Sequence, residues 1–237
     1  MAVNFQPIYI LASGGSRALE QLDNITNNVA NANTSGFKKI LMREMSQKIP
    51  ENVGQSGDLL VFPRFRDTQV INSQGALIKT ENPLDIAIEG DGFFQVESGI
   101  GRFYTRNGHF SLDREGFLVD QNGAYVLNEN NQRIRLNQNG RVDITVKGEI
   151  YQNNQLIGRL KVINLQNLQP AGNGYYIGQE VQTQMYTIKQ GFLESSNVNI
   201  VKEMVEMINN HRRFDIYMNL AKSLDQIEGK LNDIGKA

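Results

Sequence analysis

The spacing of apolar residues changes twice along this chain, and that change restricts the possible folds. Between about residues 8 and 33, apolar and small residues alternate at spacings of three and four, the seam of a helix that packs on other helices. From about residue 59 to 188 the spacing is nearer two, as in strands. The seam residues are Ile8, Leu11, Gly15, Ala18, Leu22, Ile25 and Val29.

The C-terminal part returns to helical spacing in two offset series. One helix of about ten turns is predicted, with a stutter where the register shifts. Ser195, Ser196, Asn197 and Asn199 are candidate N-caps. The series are Ile200, Met204, Met207, His211, Phe214, Met218 and Ala221, then Tyr217, Leu220, Leu224, Ile227, Leu231 and Ile234.

The sequence therefore predicts an α+β fold: a mainly β central domain with long N- and C-terminal α-helices. The expected segments are an N-terminal helix over 1–37, a connector over 38–83, the β domain over 84–190 and a C-terminal helix over 191–237. Asparagine–glycine pairs mark predicted type I′ hairpin turns, because both residues accept positive φ. These pairs begin at Asn107, Asn122 and Asn139, and Asn173-Gly174 adds a further turn.

The end of the first helix is crowded with asparagine, a poor helix former. One interpretation is an exposed, fraying helix end. The other is that the amides become buried between copies of the chain, so that the ends order only on assembly. Gly15 and Ala18 bury little apolar area, although the C-terminal helix is an obvious internal partner for their seam. The amides belong to Asn24, Asn27, Asn28, Asn31 and Asn33.

Charge and cysteine content limit the chemistry of the chain. A formal net charge of -1 argues against nucleic-acid binding, and the chain has no cysteine for a thiol nucleophile or zinc ligand. No segment approaches the ~20 apolar residues of a membrane span. The first basic residue is Arg17, so no charged leader of the secretory type is expected.

Each candidate for a catalytic or metal site has a simpler explanation. Asp113 and Glu115 could act as a carboxylate pair on a glycoside, but "SLDREGFL" is an ordinary turn sequence. The segment "EGDGFF" lacks the third glycine of a dinucleotide fingerprint. The segment "DQNGAY" has Ala124 where a calcium ligand is needed. His109 and His211 have no second histidine at ligand spacing, so no enzyme activity, metal or cofactor is predicted.

The segment "LDNITNNVANANTSGFKK" resembles the signature of the flagellar rod and hook axial family. Thr26 and Ser35 replace the commoner alanine and proline. "SQGALIKTENPLDIAIEGDGFFQV" resembles the family's β domain and "GFLESSNVNIVKEMVEMINNHRRFDIYMNLAKSLDQIEGKLN" its C-terminal helix. The signature positions that match are Asn28, Ala30, Asn31, Thr34, Gly36, Phe37 and Lys38.

The resemblance implies a structural protein, exported by the flagellar type III apparatus without a cleaved leader. It would assemble with itself and other rod subunits into the rod that crosses the periplasm and transmits torque to the hook. The terminal helices would form a coiled-coil-like tube. The C-terminal sequence favours the proximal rod subunit, with the distal one as alternative. A β binding module on a coiled-coil stalk is a further alternative.

The seams and the signature together predict the residues of the assembly interface. No catalytic, cofactor or metal residue is predicted, and neither nucleic acid nor a membrane is an expected partner. The predicted interface residues are Leu11, Gly15, Ala18, Leu22, Ile25, Asn28, Val29, Asn31, Thr34, Gly36, Phe37, Met204, Ile208, Phe214, Met218, Leu224 and Leu231.

Overall fold

The computed structural model describes residues 6–48, 61–182 and 185–234. The chain divides into two units. The helix unit comprises the described residues within 1–30, 41–69 and 199–237, and the β unit those within 31–40 and 70–198. The predicted order of helix, β region and helix is confirmed.

The helix unit contains α1 (Gln6–Ala30) and α2 (Ile200–Ile234), which pair with each other. Asn28 contacts Glu203 near one end of the pair, and Ala18 contacts Asn210 further along. Residue numbers rise on α1 as they fall on α2, so the helices are antiparallel. At 35 residues, α2 has the predicted length of about ten turns.

A single N-cap starts α2. The side-chain Oδ1 of Asn199 accepts a hydrogen bond from the backbone N–H of Lys202 at 3.0 Å. The predicted N-terminal boundary at residue 191 is too early, because Phe192–Glu194 form a strand. The predicted end of α1 at residue 37 is too late, because the helix ends at Ala30 and a turn follows.

The inner face of α2 keeps one register, so the predicted stutter is wrong. Its side chains recur at spacings of three and four without a shift. Two polar residues, Glu203 and Asn210, are buried at positions of this face. A series drawn through apolar residues alone breaks at these positions and therefore suggests a shift of register that the helix does not have. The face consists of Ile200, Glu203, Met207, Asn210, Phe214, Tyr217, Ala221 and Leu224.

The predicted connector contains regular structure. Strands β1 (Ile40–Lys48) and β2 (Val61–Val70) pair in a two-stranded sheet. Strand β3 (Leu77–Lys79) pairs antiparallel with β16 (Phe192–Glu194), so this part of the predicted connector belongs to the β unit. Strand β4 (Ile86–Gly90) pairs antiparallel with β15 (Tyr186–Gln190).

The largest sheet of the β unit has seven strands in the order β13-β14-β6-β5-β9-β8-β7. Strand β13 also pairs with β5, so β13, β14, β6 and β5 form a closed ring of pairings. The seven strands are β5 (Phe93–Ser98), β6 (Gly101–Thr105), β7 (Ser111–Leu112), β8 (Leu118–Val119), β9 (Tyr125–Val126), β13 (Val162–Gly172) and β14 (Tyr175–Val181).

A separate three-stranded antiparallel sheet contains β10 (Val142–Ile144), β11 (Glu149–Gln152) and β12 (Gln155–Arg159). Its buried side chains join the main core of the β unit, where Ile150 and Leu160 are fully buried. A smaller cluster surrounds Phe93 and Tyr176 on the other side of β5. The β unit therefore buries apolar residues on both faces of its central strands.

None of the three pairs predicted as type I′ turns has positive φ at both residues, since Gly123 has φ 81° but Asn122 is not in this region. The pair predicted only as a further turn does have this geometry. Asn173 and Gly174 both have positive φ, 52° and 75°, and they join β13 to β14. The turn between β11 and β12 uses Asn153 and Asn154, at φ 51° and 66°, which the search for asparagine–glycine pairs missed.

The pairs beginning at Asn107 and Asn139 are not type I′ turns, because neither contains a residue with positive φ. Gly108 is needed for a different reason. A Cβ at this position would lie 1.6 Å from the backbone oxygen of Ile86. The backbone N–H of Ile86 in turn donates a hydrogen bond to the backbone oxygen of Gly108. Close approach of two backbones explains this glycine.

Candidate assembly interface

The helix pair is closely packed where α1 carries its small residues. A Cβ on Gly14 would lie 2.7 Å from Cε1 of Tyr217, so the aromatic ring occupies the space that the glycine leaves. A Cβ on Gly15 would lie 3.8 Å from Cε2 of Phe214. The predicted narrow seam is thus present, and its partner is α2 of the same chain.

Polar side chains are buried within the same seam. The amide Nδ2 of Asn28 donates to Oε2 of Glu203 at 3.3 Å, and each residue is 2% exposed. Seven residues along α2, Nδ2 of Asn210 donates to the backbone oxygen of Ala18 at 2.6 Å. Buried hydrogen bonds of this kind fix the register of a helix pair.

The other side of α2 exposes apolar side chains. Its first turns carry Val201, Met204, Val205 and Ile208, which we call the outer face. Val201 is 72% exposed and Ile208 is 54% exposed. Four apolar side chains together over about two turns form a patch of the kind that marks an interaction site.

The signature residues lie in the β unit, beside the strand that precedes α2. The Nζ of Lys38 lies 2.6 Å from Oε1 of Glu194, and Nη1 of Arg106 lies 3.1 Å from Oε2 of the same carboxylate. All three side chains are about 1% exposed or less. We call this group, with residues 34–39 and 194–197, the terminal junction.

Further hydrogen bonds reach the buried charges of the terminal junction, although Nε of Arg106 has no partner among the described residues. Lys38 Nζ also donates to the backbone oxygen of Ser73 at 2.7 Å, and Arg106 donates to the backbone oxygens of Ile88 and Gly90. The backbone N–H of Gly75 donates to Oε1 of Glu194 at 2.8 Å. These donors and the two neighbouring cations offset part of the cost of desolvating the carboxylate.

Backbone contacts hold the two segments of the junction side by side. The N–H of Gly36 donates to the backbone oxygen of Glu194 at 2.7 Å. The N–H of Lys39 donates to Oδ1 of Asn197 at 2.7 Å, and Nδ2 of Asn197 donates to the backbone oxygen of Ile71 at 2.8 Å. The segments next to α1 and α2 in sequence are therefore joined within the β unit.

Burial shifts the ionisation of the junction residues. Desolvation lowers the pKa of Lys38 and of Arg106, and the charge of Glu194 opposes the shift in both. Burial also raises the pKa of Tyr176 to about 12. The hydroxyl of Tyr176 accepts a hydrogen bond from the backbone N–H of Lys38 at 2.8 Å.

Gly36 has φ 70°, as the sequence predicts, but it does not cap the helix. It lies six residues after the end of α1, in a turn packed on the backbone of Arg106. A Cβ here would lie 2.3 Å from the carbonyl carbon of Arg106. Both its φ and its surroundings therefore require glycine.

The predicted interface residues do not form one surface. Most of them on α1, with Phe214 and Leu224 of α2, lie on the inner faces of the helix pair. Met204, Ile208 and Met218 are exposed on α2. The inner-face residues of α1 are Leu11, Gly15, Ala18, Leu22, Ile25, Asn28 and Val29.

The signature residues Asn31, Thr34, Gly36 and Phe37 lie in the β unit, and Gly36 and Phe37 are buried there. They are therefore in a different unit from the helix seams, and their role in assembly stays a prediction. Leu231 lies in α2, but its side chain is outside the described residues.

Sequence reasoning missed the partners in the junction. Glu194 stands in the segment quoted for the C-terminal helix and Arg106 just before the Asn107-Gly108 pair, and an isolated charge suggests an exposed position. Asn197, one of the four candidate caps of α2, bonds instead to Lys39 and Ile71. The pairing of a charge at position 38 with one at position 194 has no local signal, since it depends on the tertiary fold.

The alternative chemical sites are turns. Oδ1 of Asp113 accepts hydrogen bonds from the backbone N–H groups of Glu115 and Phe117, which closes the turn between β7 and β8. Asp120 accepts from the N–H of Ala124 and from the hydroxyl of Tyr175. Across residues 6–48, 61–182 and 185–234, no group of acidic or histidine side chains could hold a metal ion, and no helix could span a membrane.

Three family descriptions match consecutive parts of the chain. "Flagella basal body rod protein" matches residues 8–38 and "Flagellar hook protein FlgE/F/G D1 domain" matches 87–152. "Flagellar basal body rod FlgEFG protein C-terminal" matches residues 189–234. The first match ends at Lys38 and the last includes Glu194, so the two ends of the terminal junction both fall within matched segments.

Relatives are similar over almost the whole chain. The flagellar basal-body rod protein FlgG of Buchnera aphidicola is 33% identical over 243 residues, covering 89% of this chain and 92% of the relative. The rod protein FlgF of Mesorhizobium japonicum is 34% identical over 221 residues, covering 88% of each. FlgG of Bacillus subtilis is 30% identical over 251 residues, covering 93% and 95%. The chain therefore belongs to the flagellar rod and hook axial family, and it is a structural subunit of the basal-body rod rather than an enzyme.

Proposed function

We propose that the chain is a proximal rod subunit that polymerises through its terminal helices into a coiled-coil-like tube. In this role it is exported by the flagellar type III system, crosses the periplasm as part of the rod and transmits torque to the hook. Its partners are copies of itself and the neighbouring subunits of the axial structure. The distal rod is the alternative position, since relatives of similar identity carry the names FlgG and FlgF.

The observation that supports assembly through the helices is the outer face of α2. A helix whose inner face is already paired with α1 has no structural need for Val201, Val205 and Ile208 on its other side. Exposed apolar side chains cost solubility in a lone molecule, and they contribute binding energy when a second surface covers them.

Substitution of the outer face tests this role. Ile208→Ser combined with Met204→Ser is expected to reduce incorporation into wild-type rods, measured by motility and by the rod content of purified basal bodies. The matched control is Leu156→Ser with Ile157→Ser on β12, where the two side chains are 55% and 38% exposed. Equal incorporation of both double variants would contradict assembly through α2.

The helices are also proposed to gain order on assembly. Dilute chain should show less helix by circular dichroism than assembled chain, because buried contacts between copies offset the low helix propensity of the asparagines. Two fully formed helices in the dilute chain would contradict this coupling. Asn31→Ala should impair assembly if the amide contacts a second copy, whereas unchanged assembly would mean that the amide, which lies in the turn after α1, has no role between copies.

Density from assembled basal bodies separates the proximal from the distal position. A proximal subunit is expected on the export-apparatus side of the rod and a distal subunit on the hook side. Fitting this chain to the hook-side density alone would replace the proposal with the alternative. A stable small oligomer that never extends would instead favour a β binding module on a helical stalk.

A further inference from the structure

The last strands of the β unit pair with its first strands. Strand β15 pairs with β4 and strand β16 with β3, and the backbone N–H of Ser195 donates to the backbone oxygen of Ala76 at 2.8 Å. Residues 194–197 also hold residues 36–39 through the hydrogen bonds of the terminal junction. We call residues 186–197 the closing segment. It is the shared partner of three stretches that lie much earlier in the chain.

The central strands of the β unit pair without the closing segment. Every strand of the seven-stranded and three-stranded sheets lies between residues 93 and 181. The buried residues of the main core lie in the same range, except for Ile86, Ile88 and Ile188. Short turns join β5 to β6 and β13 to β14, and contacts between neighbours in sequence cost less chain entropy than contacts between distant residues. Residues 93–181 can therefore form most of the core before the closing segment joins.

The charges of the terminal junction also depend on the closing segment. Desolvation lowers the pKa of Lys38 and of Arg106, while the charge of Glu194 and, more weakly, that of the exposed Asp91 oppose this shift. Lys38 and Arg106 also repel each other. Glu194 contacts both cations, so burying them before it arrives would leave two buried charges without their counter-charge.

We propose that the closing segment joins the β unit last and that its arrival closes the unit. In the open form, Lys38 and Arg106 stay in water, and strands β3 and β4 wait for their partners. The closing segment is also made late, since 156 residues separate Lys38 from Glu194, or about 8–30 s at ~5–20 residues per second. An incomplete chain therefore cannot close its β unit. This order of folding concerns the single chain and goes beyond the proposed role in assembly.

Refolding and unfolding rates of the full chain test this order. Glu194→Gln keeps the size of the side chain and removes its charge. Because a contact made after the transition state affects unfolding alone, unfolding in urea should be about 100-fold faster and refolding should change by less than about twofold. Ile150→Val on β11 is the comparison within the central sheets, and it should slow refolding by about two- to tenfold. Stopped-flow tyrosine fluorescence of the dilute chain measures both rates.

A milder variant keeps the test decisive if Glu194→Gln does not refold. Asn197→Ala removes the side-chain hydrogen bonds to Lys39, Ile71 and Ser73 and leaves the buried charges in place. Its unfolding should be about tenfold faster, again with little change in refolding.

Hydrogen exchange in the natural chain gives an independent measurement. The N–H groups of Gly36 and Ser195 take part in hydrogen bonds of the closing segment, whereas those of Leu127 and Ile134 are bonded within residues 93–181. Opening of the closing segment alone should let the first two exchange at least about tenfold faster than the second two. Refolding slowed by the junction variants with unfolding unchanged, or equal exchange in the two groups of amides, would overturn late closure. Neither result would affect the proposed function, because assembly is measured separately.

Discussion

The two units of this protein bury their apolar residues to different extents. In the β unit, Phe94, Val96 and Ile150 have no exposed surface, and a closed ring of strand pairings surrounds part of the core. In the helix unit, Val201 and Ile208 remain more than half exposed while the inner seam includes glycine and asparagine. The β unit completes its own core, whereas the helix unit leaves a surface that another molecule can cover.

Both units also bury polar residues. The β unit tolerates three buried charges in its terminal junction because each is hydrogen-bonded several times. The helix unit buries Asn210 with one of its two polar atoms unpaired. The β unit also has buried atoms without a hydrogen-bond partner among the described residues, on Asn72, Gln95 and Arg106, so the two units differ in their exposed apolar surface and not in this respect.

The largest expected effect comes from removing the shared carboxylate of the junction. Glu194→Ala leaves Lys38 and Arg106 buried without a counter-charge, which should cost about 3–5 kcal/mol in the free energy of unfolding of the β unit. Urea unfolding followed by near-ultraviolet circular dichroism of the tyrosines measures the change. A loss below about 1 kcal/mol would mean that the junction does not close the β unit.

A surface pair supplies the control for that experiment. Oε1 of Glu89 lies 2.8 Å from Nζ of Lys189. The Glu89 side chain is 47% exposed and the Lys189 side chain is 36% exposed. Glu89→Ala should cost no more than about 1 kcal/mol, because water screens the pair. The contrast with Glu194→Ala isolates the effect of burial from that of losing a carboxylate.

The next largest effect concerns the signature glycine. Gly36→Ala places a Cβ against the backbone of Arg106 at a φ of 70°, and should cost about 2–4 kcal/mol from strain and overpacking. Gly123→Ala is the matched control, with φ 81° and no atom within 4 Å of the added Cβ. Thermal unfolding of both variants separates the close contact from the backbone conformation. Equal losses would show that the contact with Arg106 is unimportant.

Alkaline pH should weaken the β unit by a smaller amount. Burial raises the pKa of Tyr176 and of Tyr104 to about 12, from 10.0 in the unfolded chain. A raised tyrosine pKa stabilises the fold fully below pH 10 and loses that contribution as the pH rises towards 12. The lowered pKa of Lys38 acts in the opposite direction up to pH 10.5, where the unfolded side chain also loses its proton.

Thermal melting between pH 9 and pH 11, with tyrosinate absorbance, measures the balance. We expect a fall of a few degrees in Tm over this range, and a smaller fall in Tyr176→Phe, which has one fewer buried hydroxyl to ionise. A melting temperature that rises throughout the range would mean that Lys38 outweighs the tyrosines.

Sequence reasoning recovered the elements whose signal is local. The seam of α1 from Leu11 to Val29, the length of α2 and the order of the three regions all follow from periodicity, which the backbone geometry imposes directly. The register of α2 could not be predicted from apolar positions, because Glu203 and Asn210 occupy its seam. Their burial depends on partners in α1.

The terminal junction was beyond sequence reasoning for a related reason. The signature ending at Lys38 identified an important segment, but its partner Glu194 lies at a separation of 156 residues. Gly108 gives the same lesson on a smaller scale. A glycine after asparagine predicts a turn, whereas the structure uses it for close contact with Ile86. The pairing of Lys38 and the need for glycine at position 108 both depend on contacts that are distant in sequence.

The smallest expected effect is that of a substitution on the outer face of α2, and it tests whether this face has a partner within the chain. Ile208→Ser on the outer face should change the stability of the isolated chain by no more than about 0.5 kcal/mol, because the side chain makes little internal contact. Phe214→Ala on the inner face should cost about 1–3 kcal/mol, since its ring packs near Gly15. Urea unfolding of the dilute chain, followed by the part of the helix signal that it is expected to retain, compares them. A large loss for Ile208→Ser would mean that the outer face already has a partner in the lone chain, and that the helix unit, like the β unit, is complete by itself.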